Sequence, residues 1–354
     1  MSRFLHIGFL IPKSPIAPKT GGEWYNFHLV KGLKERGHAV ELLSVEEYLA
    51  KGKEASAAGI EEQLRSRKDG FDVLLVDTWL YRFMDQTKPL EKVKGRVVSF
   101  HQLCYWESMR SPLARWKERW RMAKAMKGVR HHIGVSKTVL ALDGVSRGRC
   151  AVVYPGCDLN VPTVEVKGKR AGELRVVSVG NYTSRKGHHK LIEALGRWSR
   201  TQREGVKLRI IGNREFDPLY VKKLEEQVES LGLKDQVLLD GWKSREEVQG
   251  ILLESDAFAF ASEGEGFGMV MAEALLHGLP VVVSPLRVFK ELLGNNQCGW
   301  ADGRYGYWLN KLKGTEEAEY NDLRKNASML GRKLAQPWDV VLDQFEGILK
   351  DWRN

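Results

Sequence analysis

The fold is decided by the stretch Ser262-Glu263-Gly264-Glu265-Gly266-Phe267-Gly268-Met269-Val270-Met271-Ala272-Glu273-Ala274-Leu275. It follows an apolar run of strand length, 256–260, and it opens a helical pattern that stops near Gly278. Glycines within the turn let the backbone come close to a ligand. Because the N–H groups of a helix's first turn attract anions, the stretch predicts a strand–turn–helix unit that can bind a phosphate.

Two carboxylates bracket this turn, Glu265 before it and Glu273 about one turn into the helix. A carboxylate repels a phosphate, so the expected partners of these two are neutral hydroxyl groups, as on a ribose or a sugar ring. A phosphate site flanked by two hydroxyl acceptors suits a nucleotide-sugar. The alternative is a surface turn whose glycines serve only the turn, with Glu273 a solvated helix residue.

The composition is that of a globular chain with a basic excess. Its 354 residues, 43% of them hydrophobic, suit two domains with substantial cores. The formal net charge of +11 attracts nucleotides, nucleic acid or an anionic bilayer. The four cysteines show no paired spacing, which favours a reducing, cytoplasmic compartment over a disulfide framework or a zinc site. The run 4–11 is too short for a signal peptide and predicts a first buried strand, and no apolar run reaches membrane-spanning length.

Apolar runs of strand length alternate with helical patterns along the chain, which predicts an α/β fold built on parallel sheets. The strands are expected at 4–11, 39–43, 72–76, 96–100, 131–135, 150–154, 174–179, 207–211, 236–239, 256–260 and 280–284. The segment 160–172 has the composition of a linker. We therefore expect a first domain over 1–160, a second over 161–336, and an amphipathic C-terminal helix over 337–354.

The spacing of Glu265 and Glu273, with Gly278-Leu279-Pro280 after them, resembles the E-x7-E signature of retaining glycosyltransferases of family 4. The resemblance extends over nearly the whole chain. It implies the GT-B fold, in which two Rossmann-like doubly wound domains face a cleft and the C-terminal helix crosses back onto the first domain. It also implies transfer of a sugar, with retention of configuration, from a nucleoside-diphosphate sugar to an acceptor hydroxyl.

The resemblance also implies roles for individual residues. Lys186 would hold the donor diphosphate. The family places arginine where this chain has Asn181, and we infer that Arg185 supplies the second cation. His101 and Glu265 would lie near the transferred sugar. The donor-binding set would be Gly22, Asn181, Gly266, Phe267, Gly268, Met269, Val270 and Glu273, and Trp242 and Lys243 would line the base. No Asp-x-Asp pair is present, so no metal and no cofactor is expected.

The most basic stretch is 106–130, with eight Lys or Arg against two Glu. Apolar residues recur in it at spacings of three and four, which predicts one apolar face of a helix. These residues are Met109, Leu113, Trp116, Trp120, Ala123 and Met126. That face either packs against the domain's own sheet or lies on an anionic membrane surface, and the sequence leaves both open.

Two other functions stay open. The same fold can support nucleotide-sugar epimerisation or phosphorolysis. A basic, tryptophan-containing helix can also bind nucleic acid, but that function leaves Glu265 and Glu273 without a role. The expected partner is therefore a nucleotide-sugar donor and not a nucleic acid, with the acceptor unidentified and a glycan or lipid-linked acceptor among the options. The sequence is compatible with a protein on the inner face of a membrane.

Overall fold

The computed structural model describes residues 4–16, 18–65, 70–84, 90, 93–109, 111–145, 148–158 and 172–353. The chain divides into two compact units, Met1–Cys157 with Gln336–Asn354, and Asp158–Ala335. The domain boundary expected at residue 160 falls outside the described residues.

The first unit is built on a six-stranded parallel sheet. Its strands are β1 (His6–Ile11), β2 (Ala39–Ser44), β3 (Val73–Asp77), β4 (Arg96–His101), β5 (His131–Gly134) and β6 (Arg149–Val152), and β7 (Gly156–Cys157) follows them outside this sheet. The sheet order is β2-β1-β3-β4-β5-β6. The helices are α1 (Gly21–Glu35), α2 (Glu46–Leu49), α3 (Lys53–Arg65), α4 (Pro112–Ala125) and α5 (Lys137–Leu142), with 3-10 helices at Thr78–Phe83 and Tyr105–Ser108. Strand β3 is buried over its whole length, as expected of a parallel strand covered on both faces.

The second unit repeats this architecture. Its strands are β8 (Leu174–Val179), β9 (Val206–Ile211), β10 (Val237–Leu239), β11 (Ala257–Phe260), β12 (Val281–Val283) and β13 (Gly299–Ala301), in the parallel order β10-β9-β8-β11-β12-β13. Its helices are α6 (His188–Gly196), α7 (Arg200–Arg203), α8 (Pro218–Ser230), α9 (Arg245–Glu254), α10 (Met269–Leu276), α11 (Arg287–Leu293), α12 (Tyr305–Gly314) and α13 (Glu317–Leu334), with 3-10 helices at Ser184–Lys186 and Arg214–Phe216. The prediction of two doubly wound α/β domains is confirmed.

The chain then returns to the first unit. Strand β14 (Gln336–Pro337) pairs with β7, and helix α14 (Trp338–Arg353) packs on α1. Gly32 makes this contact possible, because a Cβ there would lie 2.2 Å from a methyl carbon of Leu342. Arg36 of the loop after α1 donates hydrogen bonds to Asp343 (2.6 Å) and Glu346 (2.9 Å), so charge pairs flank the apolar contact.

The basic stretch 106–130 differs from the expectation. Its α-helix is confined to α4, because Ser111 caps the helix, its side chain accepting from the Ala114 N–H, and Pro112 occupies the first turn. Leu113, Trp116 and Trp120 face outward, whereas Met122, Ala125 and Met126 are buried. The single apolar face predicted from spacing was therefore wrong: this helix has two.

None of the helices in the described part of the chain is both long enough and apolar enough to cross a bilayer.

Candidate functional site in the second unit

The predicted phosphate site lies at the carboxyl edge of the second sheet, where β8 and β11 are neighbours. The chain order reverses at this pair, since β9 continues the sheet on one side and β12 on the other. Loops after the two strands must therefore diverge and leave a crevice, which is the usual ligand position in open parallel sheets. The loop after β8 carries Arg185 and Lys186, and the loop after β11 carries Glu265.

Lys186, Arg185 and Glu265 form one charged cluster in this crevice. The Lys186 Nζ lies 2.7 Å from the Glu265 Oε1, and an Arg185 guanidinium nitrogen lies 3.3 Å from the same oxygen. Ser262 donates a third hydrogen bond to it (2.7 Å), and Arg185 also donates to the Gly264 carbonyl. Two cations thus share one carboxylate, so the cluster keeps a net positive charge beside the start of α10.

Burial and pairing act against each other on these groups. Burial alone would raise the pKa of the Glu265 carboxyl, but Lys186 and Arg185 outweigh it and hold that pKa below its usual range. Burial lowers the pKa of the Lys186 ammonium, and the Glu265 carboxylate offsets part of that effect. The Lys186 Nζ also lies 4.8 Å from the centre of the Phe260 ring, which stabilises a cation.

The two loops are joined by backbone contacts. The Glu263 N–H donates to the Arg185 carbonyl at 2.7 Å. Gly187 has φ +67°, and a Cβ at this position would lie 2.1 Å from the Ala261 carbonyl oxygen. Only glycine therefore allows the loop carrying Arg185 and Lys186 to lie against the end of β11.

Gly187→Ala is expected to destabilise the protein by about 1–3 kcal/mol or more, because the left-handed backbone and the contact with a carbonyl both oppose a side chain. Urea unfolding monitored by circular dichroism measures this. Gly232→Ala is the matched control, since its φ is +61° but no atom lies within 4 Å of the added carbon. Equal losses in the two variants would show that backbone strain alone, without the contact to Ala261, explains the effect.

The glycine-rich turn places the start of α10 beside the cluster. Gly268 occupies the cap position with φ +90°, and the helix begins at Met269. A Cβ on Gly268 would lie 2.8 Å from a ring carbon of Phe289, so the turn is closely packed from behind. Phe267 is buried, as is Gly266, whereas Met269 and Val270 are half-buried. The Met271 N–H donates to the Gly268 carbonyl (2.9 Å), whereas the Met269 and Val270 N–H groups precede the intrahelical hydrogen bonds of α10 and lie at its positive dipole end.

Glu273 lies one turn further along α10 and has a partner that the sequence did not reveal. Arg245, at the start of α9, lies 3.0 Å from Glu273 and 3.1 Å from Asp158. Burial raises the pKa of the Glu273 carboxyl, and Arg245 offsets part of that rise. Arg245 follows the predicted base-lining residues Trp242 and Lys243 closely in the chain. This closeness was the one feature of the sequence that could have indicated Arg245 as a site residue.

The remaining predicted residues of this unit lie around the cluster rather than in it. Asn181, just after β8, accepts a hydrogen bond from the Asn213 N–H at 3.4 Å. Trp242 is 69% exposed. The Lys243 Nζ lies 3.5 Å from Asp240 and 3.7 Å from Glu247. No contact joins these three to Lys186 or Glu265 among the described hydrogen bonds, so their roles stay predictions.

The first unit has a polar group at the corresponding edge of its own sheet. Gln102, after β4, donates to Asn26 (2.7 Å) and to the Asp77 carboxyl (3.4 Å). A Cβ on Gly22 would lie 2.6 Å from the Gln102 side-chain oxygen. Burial raises the pKa of Asp77 to about 7, although the Trp79 N–H lowers it in part. Gly22 therefore lies among groups that can bind hydroxyls, and its role toward the donor stays a prediction.

His101 is enclosed by its own unit. Its Nδ1 lies 2.6 Å from the Asp143 Oδ2, its Nε2 lies 3.1 Å from the His132 Nδ1, and its side chain is fully buried. His132 in turn bonds the Val129 carbonyl at 3.2 Å. A contact between the His101 side chain and a sugar would require one of these two hydrogen bonds to break. The role of His101 near the transferred sugar therefore stays a prediction.

These contacts determine where the protons lie. A carbonyl only accepts, so the His132 Nε2 must donate to Val129; burial lowers the pKa of His132 to about 4, which keeps it neutral and makes its Nδ1 an acceptor. The His101 Nε2 must then donate to His132, and a proton also lies between its Nδ1 and Asp143. Cys104 and Trp106 donate to the other oxygen of Asp143, so both oxygens of this buried side chain have partners.

Asp143→Asn is expected to leave the fold intact, because the amide N–H₂ can donate to the His101 Nδ1 while the amide oxygen accepts from Cys104 and Trp106. Urea unfolding monitored by circular dichroism measures this. Asp143→Ala is the comparison and should be less stable, since it leaves these buried donors unsatisfied. A loss of stability in Asp143→Asn as large as that in Asp143→Ala would contradict these hydrogen-bond roles.

Comparison with known proteins finds relatives of the segment that carries this geometry. Residues 163–302 match the family glycosyl transferases group 1. This segment of the chain is similar to that family. It contains the loop of Lys186, the glycine-rich turn and α10.

Relatives and solved structures agree with this assignment. The chain is 29% identical over 163 residues, 44% of its length, to the putative colanic acid biosynthesis glycosyltransferase WcaL of Escherichia coli K12. The match spans 39% of that relative, so the chain covers well under half of it. Among solved structures, sucrose-phosphate synthase from Thermosynechococcus elongatus superimposes with a TM-score of 0.78 over 98% of both chains at 16% identity. Anabaena HepE in complex with UDP-glucose gives 0.73 over 98% of this chain and 100% of its own, at 19% identity. The predicted GT-B fold is confirmed, and the predicted likeness to glycosyltransferases is confirmed over the matched segment, whereas membership of family 4 stays a prediction.

Proposed function

We propose that this protein is a retaining glycosyltransferase that moves a sugar from a nucleoside-diphosphate sugar to an acceptor hydroxyl without a required metal. One observation carries the proposal: Lys186 and Arg185 converge on Glu265 immediately before the N-terminus of α10, with Glu273 one turn inside that helix. The match of residues 163–302 to glycosyl transferases group 1 and the likeness in fold to HepE, which was solved with UDP-glucose, support it.

The two cations would bind the donor diphosphate. They share the Glu265 carboxylate, so two positive charges face one negative charge. A diphosphate beside them would compete with Glu265 for both, while the first N–H groups of α10 supply further donors. Fixed cations in this position do the work that a metal does in other transferases, which is the physical basis for metal independence.

The two acids would bind hydroxyls. Once a diphosphate takes up Lys186 and Arg185, the Glu265 carboxylate can accept from hydroxyls of the transferred sugar. Glu273 stays paired with Arg245 and can accept from the ribose hydroxyls. The order along the site would then be ribose, diphosphate, sugar, which is the order of these groups in a nucleotide-sugar.

The reaction exchanges one bond for another at the anomeric carbon. The bond from this carbon to the diphosphate oxygen breaks, and both electrons stay on the phosphate. The acceptor oxygen bonds to the same face of the carbon, and its proton ends on a phosphate oxygen. Lys186, Arg185 and the α10 amides stabilise the charge that develops on the leaving group. The reaction forms no covalent intermediate with the protein, so it needs no second carboxylate as a nucleophile. Retaining hydrolases, in contrast, use two carboxylates.

The test is a transfer screen with defined products. UDP-, GDP- and ADP-sugars are first compared by thermal shift, UDP-glucose foremost because HepE was solved with it. The stabilising donor is then incubated with monosaccharide, glycan and lipid-linked acceptors, with and without a chelator, and the products are analysed by proton NMR. We expect nucleoside diphosphate, a product of the donor's anomeric configuration, and no effect of the chelator.

Other outcomes would redirect or overturn the proposal. An inverted product would exclude retention, and loss of activity with the chelator would exclude metal independence. Release that depends on inorganic phosphate would indicate phosphorolysis, and an isomerised nucleotide-sugar would indicate epimerisation.

The four cysteines form no disulfide with one another, which supports the proposal of a reducing, cytoplasmic compartment.

A further inference from the structure

Helix α4 presents an apolar outer face that the fold does not use. Leu113, Trp116 and Trp120 are 60%, 64% and 59% exposed. Their spacing of three and four places them side by side along one face of the helix. Most large apolar side chains of this chain are buried, and three adjacent ones on a single face form a patch of the kind that marks an interaction surface.

The opposite face of α4 already supplies the core contact. Met122, Ala125 and Met126 are buried in the cluster that includes Leu80 and Tyr81 of the 3-10 helix at Thr78–Phe83. The outer tryptophans are therefore not displaced core residues, because the helix is anchored without them. The Ser111 cap holds its N-terminal end.

The charge around the outer face is positive. Lys117, Lys124 and Lys127 are exposed and lie on the same side as the tryptophans, and the Lys124 Nζ lies 5.4 Å from the centre of the Trp120 ring. The sequence from 111 to 130 contains a single acid, Glu118, and Arg121 donates to it on the half-buried flank. Within the segment from 111 to 130, the outer face thus combines tryptophan, leucine and lysine, and the one carboxylate of this segment lies on the flank.

We propose that this face of α4 binds the surface of a bilayer that contains anionic lipid. Tryptophan rings favour the boundary between headgroups and acyl chains, leucine enters the acyl region, and lysines reach lipid phosphates. A second copy of the chain fits less well, since it would bring the same cations into contact. Nucleic acid fits the cations and the rings but gives Leu113 no partner. The proposal is independent of the transferase activity.

The test is co-sedimentation of the full chain with lipid vesicles at low and high salt. Vesicles of phosphatidylcholine alone are compared with vesicles that also contain phosphatidylglycerol. We expect binding only to the anionic vesicles, and weaker binding at high salt. Trp116→Ala/Trp120→Ala and Lys117→Gln/Lys124→Gln/Lys127→Gln should each lower the partition coefficient about tenfold or more.

Matched controls separate this face from general surface properties. Leu219→Ala/Met329→Ala removes exposed apolar side chains from the second unit, and Lys222→Gln/Lys223→Gln/Lys325→Gln removes the same charge there. Both should bind as the wild type does, and all variants should keep its circular dichroism spectrum and melting temperature. Equal binding to neutral vesicles, full binding by the tryptophan variant, or an equal loss in the charge controls would overturn the proposal. So would absence of vesicle binding together with tight binding of a single-stranded oligonucleotide that the tryptophan variant loses.

Discussion

Lys186→Met is expected to lower kcat by about 10²–10³-fold with the preferred donor, the loss seen when one preorganised donor to a developing negative charge is removed. Methionine keeps the length and apolar stem of the side chain but removes the cation 2.7 Å from Glu265. The nucleoside diphosphate then leaves without its nearest positive charge. Arg185 remains beside Glu265, so the carboxylate keeps a partner and the fold should survive.

The measurement is steady-state release of nucleoside diphosphate, with folding checked by circular dichroism. Lys190→Met is the matched control, because Lys190 lies one helical turn away and pairs with Glu263 at 2.7 Å, outside the cluster. That variant should keep its kcat within a few-fold. If Lys186→Met were as active as Lys190→Met, Lys186 would not stabilise the leaving group.

Glu273→Gln is expected to raise the KM for the donor by about 10- to 100-fold, as the loss of hydrogen bonds to a charged acceptor predicts, with a smaller effect on kcat. Glutamine has nearly the same shape and keeps one acceptor oxygen. Arg245 retains Asp158 at 3.1 Å, so it is not left unpaired.

A donor analogue that lacks one ribose hydroxyl makes this prediction specific. The wild type should bind the deoxyribose donor more weakly than the normal donor. Glu273→Gln should bind the two donors almost equally, because the variant and the analogue remove the same hydrogen bond. Glu247→Gln is the control, since Glu247 lies on the exposed start of α9 and glutamine can replace it in the cap. Additive losses from the variant and the analogue would show that Glu273 does not bind the ribose.

The fold was predictable because parallel strands buried on both faces produce continuous apolar runs. The strand predicted at 174–179 coincides with β8, and β1, β3, β4 and β11 deviate by one or two residues at an end. Strand β13 was not predicted, since its three residues Gly299–Ala301 include a glycine and are too short for a periodic signal.

The direction in which α4 faces was not predictable from spacing. Periodicity shows that apolar residues share a face, but it does not show whether that face contacts the sheet. The apolar residues predicted to share one face divide into two groups at α4: Trp116 and Trp120 are exposed to solvent, whereas Met126 is buried. Only the position of the helix over the 3-10 helix at Thr78–Phe83 separates the two groups.

The candidate site was predictable as a set of residues but not as a set of contacts. The motifs identified Lys186 as a phosphate-binding residue and Glu265 as a hydroxyl-binding residue. They did not show that the two side chains pair with each other at 2.7 Å. Arg245 begins α9 and Asp158 follows β7, far apart in the chain, so only the folded chain brings them to Glu273. Long-range pairs of this kind depend on loop positions that local patterns do not specify.

Isothermal titration calorimetry of the preferred nucleotide-sugar into the wild type, Lys186→Met and Glu273→Gln tests the central claim most directly. The account predicts one site per chain in the wild type and markedly weaker binding in both variants, with Lys190→Met and Glu247→Gln unchanged. Undiminished affinity in both site variants, or no binding of any nucleotide-sugar by the folded wild type, would contradict it.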